Sequence, residues 1–450
     1  MNNETICALA TAPGGALGII RISGPHSFGA VSSICSVHCN AVPANTIHYG
    51  LIKDGSEVVD EVLLSVFRAP HSYTGEDSVE ISCHGSHYIL NKVLDLLVQN
   101  GCRMANPGEF TQRAYLNGKL DLSQAEAVAD LIASTNQATH HLAMSQLRGG
   151  ISTELSRLRE QLLKLTSLLE LELDFSDHED LEFADRTELS ELAQKIDDHI
   201  THLAQTFETG QALKQGIPVA IVGKTNVGKS TLLNQLIGDD RAIVSDIHGT
   251  TRDTIEETME IKGVQFRFID TAGIRNTTDE VEKIGIGRTI QKINQARIII
   301  WLLDAPPTSQ EYEEIHQLLK DKISLCVHNK LDLIDIQKFN PYILPLSMIS
   351  AKTGDGIPNL KRRIFEEAER AGLTTNASDI IITNARHYDA LICAHSHLQR
   401  VLEGLSNNLS GDLLSEDLRL TLDTLAEITG GQITPQETLN NIFSHFCVGK

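Results

Sequence analysis

The spacing of apolar and polar positions divides the chain into four stretches. Residues 1–118 mix two periods. "GIIRIS" (18–23), "VLLSVF" (62–67) and "SVEISC" (78–83) are short and read as strands. "HYILNKVLDLLVQNG" (87–101) carries apolar residues at helical steps and ends on glycine, which predicts a helix. "KDGSE" at 53–57 is a hairpin turn signal. From about residue 119 the period becomes helical throughout. Leucines recur at three- and four-residue steps in "LDLSQAEAVADLIAS" and "ISTELSRLREQLLKLTSLLELEL", up to a Gly/Pro boundary at "GQALKQGIP" (210–218).

Residues 217–370 then alternate strand with helix. "PVAIVG", "ARIIIWLLDA", "ISLCVHNK" and "ILPLSM" are apolar on both faces, and "TIEETMEIKGVQFRFID" is a hairpin turning at Lys262-Gly263. Fully apolar strands separated by helices predict a mainly parallel sheet covered on both sides. Residues 380–450 return to helix. Two helical regions flanking one α/β region are explained most economically by a helical domain into which the α/β domain is inserted. The expected class is α/β plus all-α, with boundaries at 1–118, 119–214, 215–370 and 371–450.

Composition narrows the function. The chain has 450 residues, 41% of them hydrophobic, and no apolar run long enough to cross a membrane. The first residues lack a basic start followed by a long apolar stretch, so no secretory signal is expected. Eight scattered cysteines form no CxxC pair, which argues against a metal or disulfide framework and for a reducing, cytosolic setting. Net charge is −21, and residues 160–210 alone hold fourteen Asp/Glu against three Lys/Arg. Such a chain is a poor general clamp for nucleic acid; an RNA partner has to be held by a local basic patch or through a second protein.

The chemistry lies in an ordered set of short motifs. "GKTNVGKS" (223–230) follows an apolar strand and opens a helix, the context in which main-chain N–H groups surround phosphates. There Lys229 is a point charge for the β- and γ-phosphates and Ser230 a hydroxyl for Mg²⁺. "DTAG" (270–273) offers Asp270 to Mg²⁺ through water and a glycine N–H to the γ-phosphate. "NKLD" (329–332) offers Asp332 to the two N–H groups of the guanine edge, with Asn329 on the other side, and "SAKTGDG" (350–356) offers backbone N–H groups to the guanine carbonyl. Rejection of adenine follows, because a carboxylate left without its donors costs about 1.5–3 kcal/mol per lost bond. "GTTRD" (249–253) supplies a switch with Thr251 as a second Mg²⁺ ligand. Together these predict a GTPase domain. Ras-like enzymes orient the attacking water with a glutamine next to the DxxG glycine; here Ile274 stands there. Glu280, Glu282, Arg288 and the amide of Asn226 are candidates for the missing work, and the residues alone do not choose between them.

"GKTNVGKSTLLN", "AIVSDIHGTTRD", "DTAGIRNTTDEVEKIGIGR" and the tail "FCVGK", with "GIIRISGP", "YTGEDSVEISCHG" and "PGEFTQRAYLNGKLDLSQAEAVADLI", resemble the MnmE (TrmE) family over nearly the whole chain. That family comprises tRNA-modification GTPases. The resemblance implies an N-terminal α+β folate-binding and dimerisation domain, a discontinuous helical domain and an inserted Ras-like P-loop G domain. It implies a homodimer that works with the flavoprotein MnmG in a heterotetramer, on tRNA and without a membrane. The implied product is an aminomethyl or carboxymethylaminomethyl group on C5 of the wobble uridine, its carbon coming from a tetrahydrofolate derivative.

Carried over residue by residue, the resemblance and the motifs give a GTP set. From the phosphate loop come Asn226, Val227, Gly228, Lys229, Ser230 and Thr231. From the switches come Ser245, Asp246, Ile247, His248, Gly249, Thr250 and Thr251, then Asp270, Thr271, Ala272 and Gly273. From the base loops come Asn329, Lys330, Leu331, Asp332, Ser350, Ala351 and Lys352. Mg²⁺ goes to Ser230 and Thr251. K⁺ goes to Asn226, Ser245, Ile247 and Thr250, in place of an arginine finger, while Glu282 positions water. Folate goes to Arg21, Glu80, Lys119 and Lys450, the tail folding back on Phe443 and Phe446. Read without the family, an ion pair between neighbouring strands is the alternative for Arg21 and Glu80. Cys447 is a candidate nucleophile, with a small buried cysteine as the plainer alternative. Thr225 and Gly287 depart from the family, whose members often carry proline and a charged residue there. A ribosome-assembly GTPase of the Era type is the alternative reading, and it demands an RNA-binding KH module with a GxxG loop after the G domain.

Overall fold

The computed structural model describes residues 4–174, 186–238, 257–269, 293–320, 322–333, 347–374, 379–431, 436–444 and 446–449. The chain forms two compact units. The first holds Met1–Ala133, Ala143–Asp198 and Ala390–Lys450, and the second Ser134–Leu142 and His199–Asp389.

The first unit contains a six-stranded sheet: β1 (Thr5–Leu9), β2 (Leu17–Ser23), β3 (Thr46–Asp54), β4 (Glu57–Phe67), β5 (Ser78–His84) and β6 (Cys102–Met104), in the order β3-β4-β5-β2-β1-β6. Only the β1–β6 pair is parallel; the rest are antiparallel. Antiparallel strands can leave one face wet, and the alternation obeys this. Ile20 and Ile22 of β2, Leu64 and Val66 of β4 and Val79 and Ile81 of β5 are buried in one cluster with Phe28 and Val31 of α1 (Ser27–Ile34) and Val93 and Leu97 of α2 (His87–Gln99). The intervening positions, Arg21 and Glu80 among them, face the other way.

Helices make up the remainder of this unit. They are α3 (Glu109–Leu116), α4 (Leu122–Ala133), α6 (Gly150–Asp174), the first part of α7 (Arg186–Gln215), most of α11 (Ala385–Ser406), α12 (Gly411–Thr429) and α13 (Gln436–Ser444); α5 (Gln137–Leu147) is shared with the second unit. In α6, Leu155, Leu158, Leu162, Leu165 and Leu169 form one buried stripe at helical spacing, and α6 packs along α12. Burying each such leucine is worth roughly 1.5–3 kcal/mol, which holds a helix whose other faces are charged. The buried Asp197 carboxylate is fully used: His395 Nδ1 lies 2.7 Å from one oxygen and Gln399 Nε2 donates to the other at 2.6 Å.

The second unit is a doubly covered sheet of β7 (Ile217–Val222), β8 (Glu257–Ile261), β9 (Val264–Phe268), β10 (Ile298–Leu303), β11 (Ile323–His328) and β12 (Ser347–Met348), in the order β12-β11-β10-β7-β9-β8. All pairs are parallel except the edge hairpin β8–β9. That hairpin turns at Lys262 (φ 51°) and Gly263 (φ 80°), two successive positive φ angles, as a two-residue primed turn requires. All six residues of β10 are buried, because Ile298, Ile300 and Leu302 enter one core and Ile299, Trp301 and Leu303 the other. The helices of this unit include α8 (Lys229–Ile237), α9 (Ser309–Leu319) and α10 (Ile357–Arg370). The expected class, α/β plus all-α, is the observed one. No helix among the described residues is long and apolar enough to cross a membrane, and all eight cysteines are free.

Candidate functional site

In the second unit, β7 delivers the chain into the loop 223–228 and α8 leaves it, so the first N–H groups of α8 point into the loop. Two glycines make the turn possible. A Cβ on Gly223 would stand 2.3 Å from the Leu302 carbonyl oxygen. One on Gly228, whose φ is +97°, would stand 2.4 Å from Asn329 Nδ2. Lys229 opens α8 and its ammonium donates to the carbonyls of Gly223 (2.8 Å) and Lys224 (2.6 Å), so the charge lies across the loop. Ser230 and Thr231 follow on the first turn of α8, with Thr231 exposed. Asn226 is exposed, has φ +62°, and its side-chain amide makes no hydrogen bond with any described residue.

The base-side loops meet this loop through Asn329. Its Nδ2 donates to the Val227 carbonyl at 2.8 Å, and its Oδ1 accepts from the Ala351 N–H at 2.9 Å. The residue is buried, and each end of its amide is bonded to main chain. Beside the expected contact with a base, Asn329 therefore braces three loops. Asp332 is exposed; its Oδ1 accepts from the buried Ser350 hydroxyl at 2.7 Å, leaving Oδ2 without a partner among the described residues. Lys330, at φ +65°, pairs with Asp304 at 2.6 Å, Leu331 N–H donates to Ile349, and Lys352 is exposed beyond Ala351.

Sequence reasoning missed two acids here. Asp304 directly follows β10 and pairs with Lys330. Glu311 pairs with Lys224 of the phosphate loop while capping α9 through a reciprocal box with Thr308. The Thr-x-x-Glu spacing was legible as a helix start; its approach to the phosphate loop was not. Desolvation lowers the pKa of His328, next to Asn329, so this buried ring favours the neutral form. Ser245, Asp246, Ile247, His248, Gly249, Thr250, Thr251, Asp270, Thr271, Ala272, Gly273, Ile274 and Glu282 lie outside the described residues.

The first unit brings together a different set. Arg21 and Glu80 are directly opposite in the β2–β5 register, and Arg21 Nε donates to Glu80 Oε1 at 2.8 Å. The ion pair between neighbouring strands is thus real. It is also part of something larger. Arg21 Nη1 donates to the Gly449 carbonyl at 3.2 Å, and its guanidinium lies over the rings of Tyr73 (5.4 Å) and Phe110 (5.7 Å). Phe443 and Phe446 are buried with Leu122, Ala125 and Leu439 and turn the tail back. Gly108 allows the approach, since a Cβ there would stand 2.8 Å from the Phe443 oxygen. Cys447 is exposed, and its carbonyl accepts from Gly108 N–H at 3.4 Å.

Lys119 is anchored on the loop that carries Tyr73, donating to the Pro70 carbonyl at 3.1 Å. Lys450 lies outside the described residues. Glu76 was not foreseen, although "YTGEDSVE" contains it. It accepts from Ser23 at 2.7 Å and from Arg113 at 3.1 Å, fixing that loop against β2 and α3.

Comparison with known proteins covers both units. Residues 5–119 match the family model "GTP-binding protein TrmE N-terminus", and residues 122–447 match "MnmE helical domain". The tRNA modification GTPase MnmE of Bacteroides thetaiotaomicron is 51% identical over 469 residues, 100% of each chain. The protein of the same name from Phocaeicola vulgatus is 51% identical over 100% of this chain and 99% of its own, and that of Flavobacterium johnsoniae 49% identical over 100% of both. The Era-type alternative called for a KH module after the G domain; residues 385–444 instead carry the helices α11–α13 and fall within the matched helical domain. The chain therefore belongs to the MnmE family of tRNA modification GTPases.

Proposed function

We propose that this chain hydrolyses GTP and couples the hydrolysis to modification of tRNA. The observation that carries the nucleotide half is the loop frame held by Asn329 and Ser350, which ties the phosphate loop to the base-side loops and leaves one Asp332 carboxylate oxygen without a partner among the described residues, available to a guanine edge. Full-length identity with named tRNA modification GTPases supports the second half. The N-terminal domain 1–118, the split helical domain 119–214 and 371–450, and the G domain 215–370 divide the work. Purified protein is expected to hydrolyse GTP and to leave ATP essentially untouched; equal turnover of the two would contradict the assignment.

At the phosphate loop, α8 N–H groups and Lys229 hold the phosphates, and Ser230 is the described residue whose hydroxyl fits Mg²⁺; Thr251 is assigned as its second protein ligand. The free, left-handed Asn226 amide fits a monovalent cation, assigned as K⁺ with Ser245, Ile247 and Thr250, and Glu282 holds the attacking water. Bound at these positions, the two cations supply positive charge for the phosphate oxygens. Gly228→Ala combines a φ that costs an L-residue about 1–2 kcal/mol with a contact against Asn329. It is expected to weaken GTP binding at least roughly tenfold, measured by titration calorimetry; wild-type affinity would show that the loop tolerates a Cβ.

In the first unit, the second Glu80 oxygen suits the amino edge of a pterin, and Lys119 and Lys450 suit a glutamate tail. The aromatic flank at Arg21 makes this a fit for a tetrahydrofolate derivative, which supplies a one-carbon unit when bound. Cys447, exposed at the tail, is the candidate nucleophile. The product is an aminomethyl or carboxymethylaminomethyl group at C5 of the wobble uridine, made by a homodimer together with MnmG. Deleting residues 447–450 removes the Gly449 carbonyl from Arg21. The deletion is expected to lower affinity for a reduced folate at least tenfold and to spare GTP binding, as roughly 1.4 kcal/mol of lost contact would do; unchanged folate affinity would detach the tail from the site.

A further inference from the structure

Between α6 and α12 of the first unit lies a cavity of about 460 Å³. It contains none of the residues assigned above. Leu155 and Leu425, both buried, and Ala426 give it an apolar floor. Three hydroxyls line it, and each spends its proton inside the protein. Ser152 donates to Asp121, Ser156 to the Ser152 carbonyl at 2.8 Å, and Thr429 to the Ala426 carbonyl at 3.4 Å. They therefore present lone pairs to a ligand.

The charged lining is Arg159, Arg419 and Asp423. Arg159 makes no hydrogen bond or ion pair with any described residue, and neither does Asp423. Arg419 reaches only Glu416 on its own helix, at 3.8 Å with both side chains exposed. In a chain with 59 acidic and 38 basic residues, two arginines in one cavity lack a close carboxylate partner. Opposite charges share the cavity without neutralising one another.

A ligand matching this lining brings an anion for the guanidiniums, donors for Asp423 and the hydroxyl lone pairs, and a flat apolar face. A peptide helix brings a poorer match, since its backbone donors are already used. A ribonucleotide has all three, and the volume falls within the roughly 300–1,000 Å³ of small-ligand sites. We propose that this cavity binds one ribonucleotide unit, with the phosphate at Arg159 and Arg419 and the ribose hydroxyls at Asp423. The unit belongs either to an RNA chain, in which case the inference rests on the RNA substrate proposed above, or to a free mononucleotide.

The test uses the full-length protein with GDP saturating its guanine site. Binding of fluorescein-labelled single-stranded oligouridylate, of its deoxy counterpart and of UMP is measured from 50 to 200 mM salt for wild type and for the double variant Arg159→Gln/Arg419→Gln. Both arginines are exposed, so the fold is expected to survive; an unchanged thermal midpoint checks this. Each phosphate contact contributes about 0.7 to the slope of log K against log salt on a single strand. The double variant, which gives up the single phosphate shared by the two guanidiniums, is therefore expected to lose about 0.7 from that slope. Asp423→Asn is expected to erase the preference for ribose over deoxyribose.

Loss with the oligonucleotide alone supports the site and assigns it to an RNA chain; loss with UMP as well supports it as a site for the free unit. Equal slopes and affinities in wild type and double variant for both probes overturn it, as does failure of wild type to bind either probe. Whether tRNA modification in cells depends on this chain is read independently, so loss of the cavity leaves the proposed function standing.

Discussion

Exchanging sodium for potassium at constant ionic strength is expected to raise GTP hydrolysis by about 10³-fold or more, the lower end of what an arginine finger contributes. Ile274 stands in the sequence where Ras-like enzymes keep a water-orienting amide, and it has no group to orient water. Charge developing on the leaving phosphate oxygens needs a preorganised positive partner. Asn226 occupies the phosphate loop in a left-handed conformation that non-glycine residues rarely adopt, with its amide uncommitted among the described residues. A strained, exposed asparagine beside the phosphates suits an oxygen ligand for a monovalent cation. A ring made of one amide and loop carbonyls selects by ionic radius. Asn226→Ala is expected to remove most of the potassium effect with little loss of GTP affinity. Glu282→Ala is expected to slow hydrolysis without altering the cation requirement. Equal rates in the two cations would end this part of the account.

Asp332→Asn is expected to lower GTP affinity by about 10²–10⁴-fold, since two charge-assisted hydrogen bonds at about 1.5–3 kcal/mol each are lost. The structure adds a detail the motif does not contain. Ser350 donates to Oδ1, so an asparagine there keeps its oxygen on Ser350 and turns its amide nitrogen toward the base. That nitrogen donates, and the 2-oxo group of xanthine accepts. The variant is therefore expected to bind xanthosine triphosphate better than wild type does, by competition against a labelled nucleotide. An unchanged preference would mean that Asp332 does not face the base edge.

Much of this frame was legible because the signals were local. An apolar strand, a glycine-rich turn and a helix start occupy consecutive residues, so 218–237 could be read directly. The fully buried β10 followed from six apolar residues in a row, and the hairpin turn at Lys262-Gly263 from its residue types. What escaped were pairings between distant parts of the chain. Asn329 reaches Val227 across 102 residues, and periodicity carries no information at that range. Arg21 and Glu80 were placed on strands, but the register that makes them opposite is set by packing of Ile20, Ile22, Val79 and Ile81 beneath them. The short β6, three residues long, has too few positions to show a period. For Cys447 the sequence offers a candidate nucleophile or, more plainly, a small buried thiol; the thiol is exposed, because Phe443 and Phe446 take the buried places of the tail.

The central claim is that GTP turnover at this phosphate loop serves tRNA modification, and one measurement addresses it directly. Nucleosides are quantified by mass spectrometry in tRNA from cells lacking the chain and from the same cells supplied with wild type or Lys229→Ala. The account predicts wobble uridines without their C5 substituent in the deletion, recovery with wild type, and no recovery with Lys229→Ala. Full C5 modification in the deletion strain would contradict it.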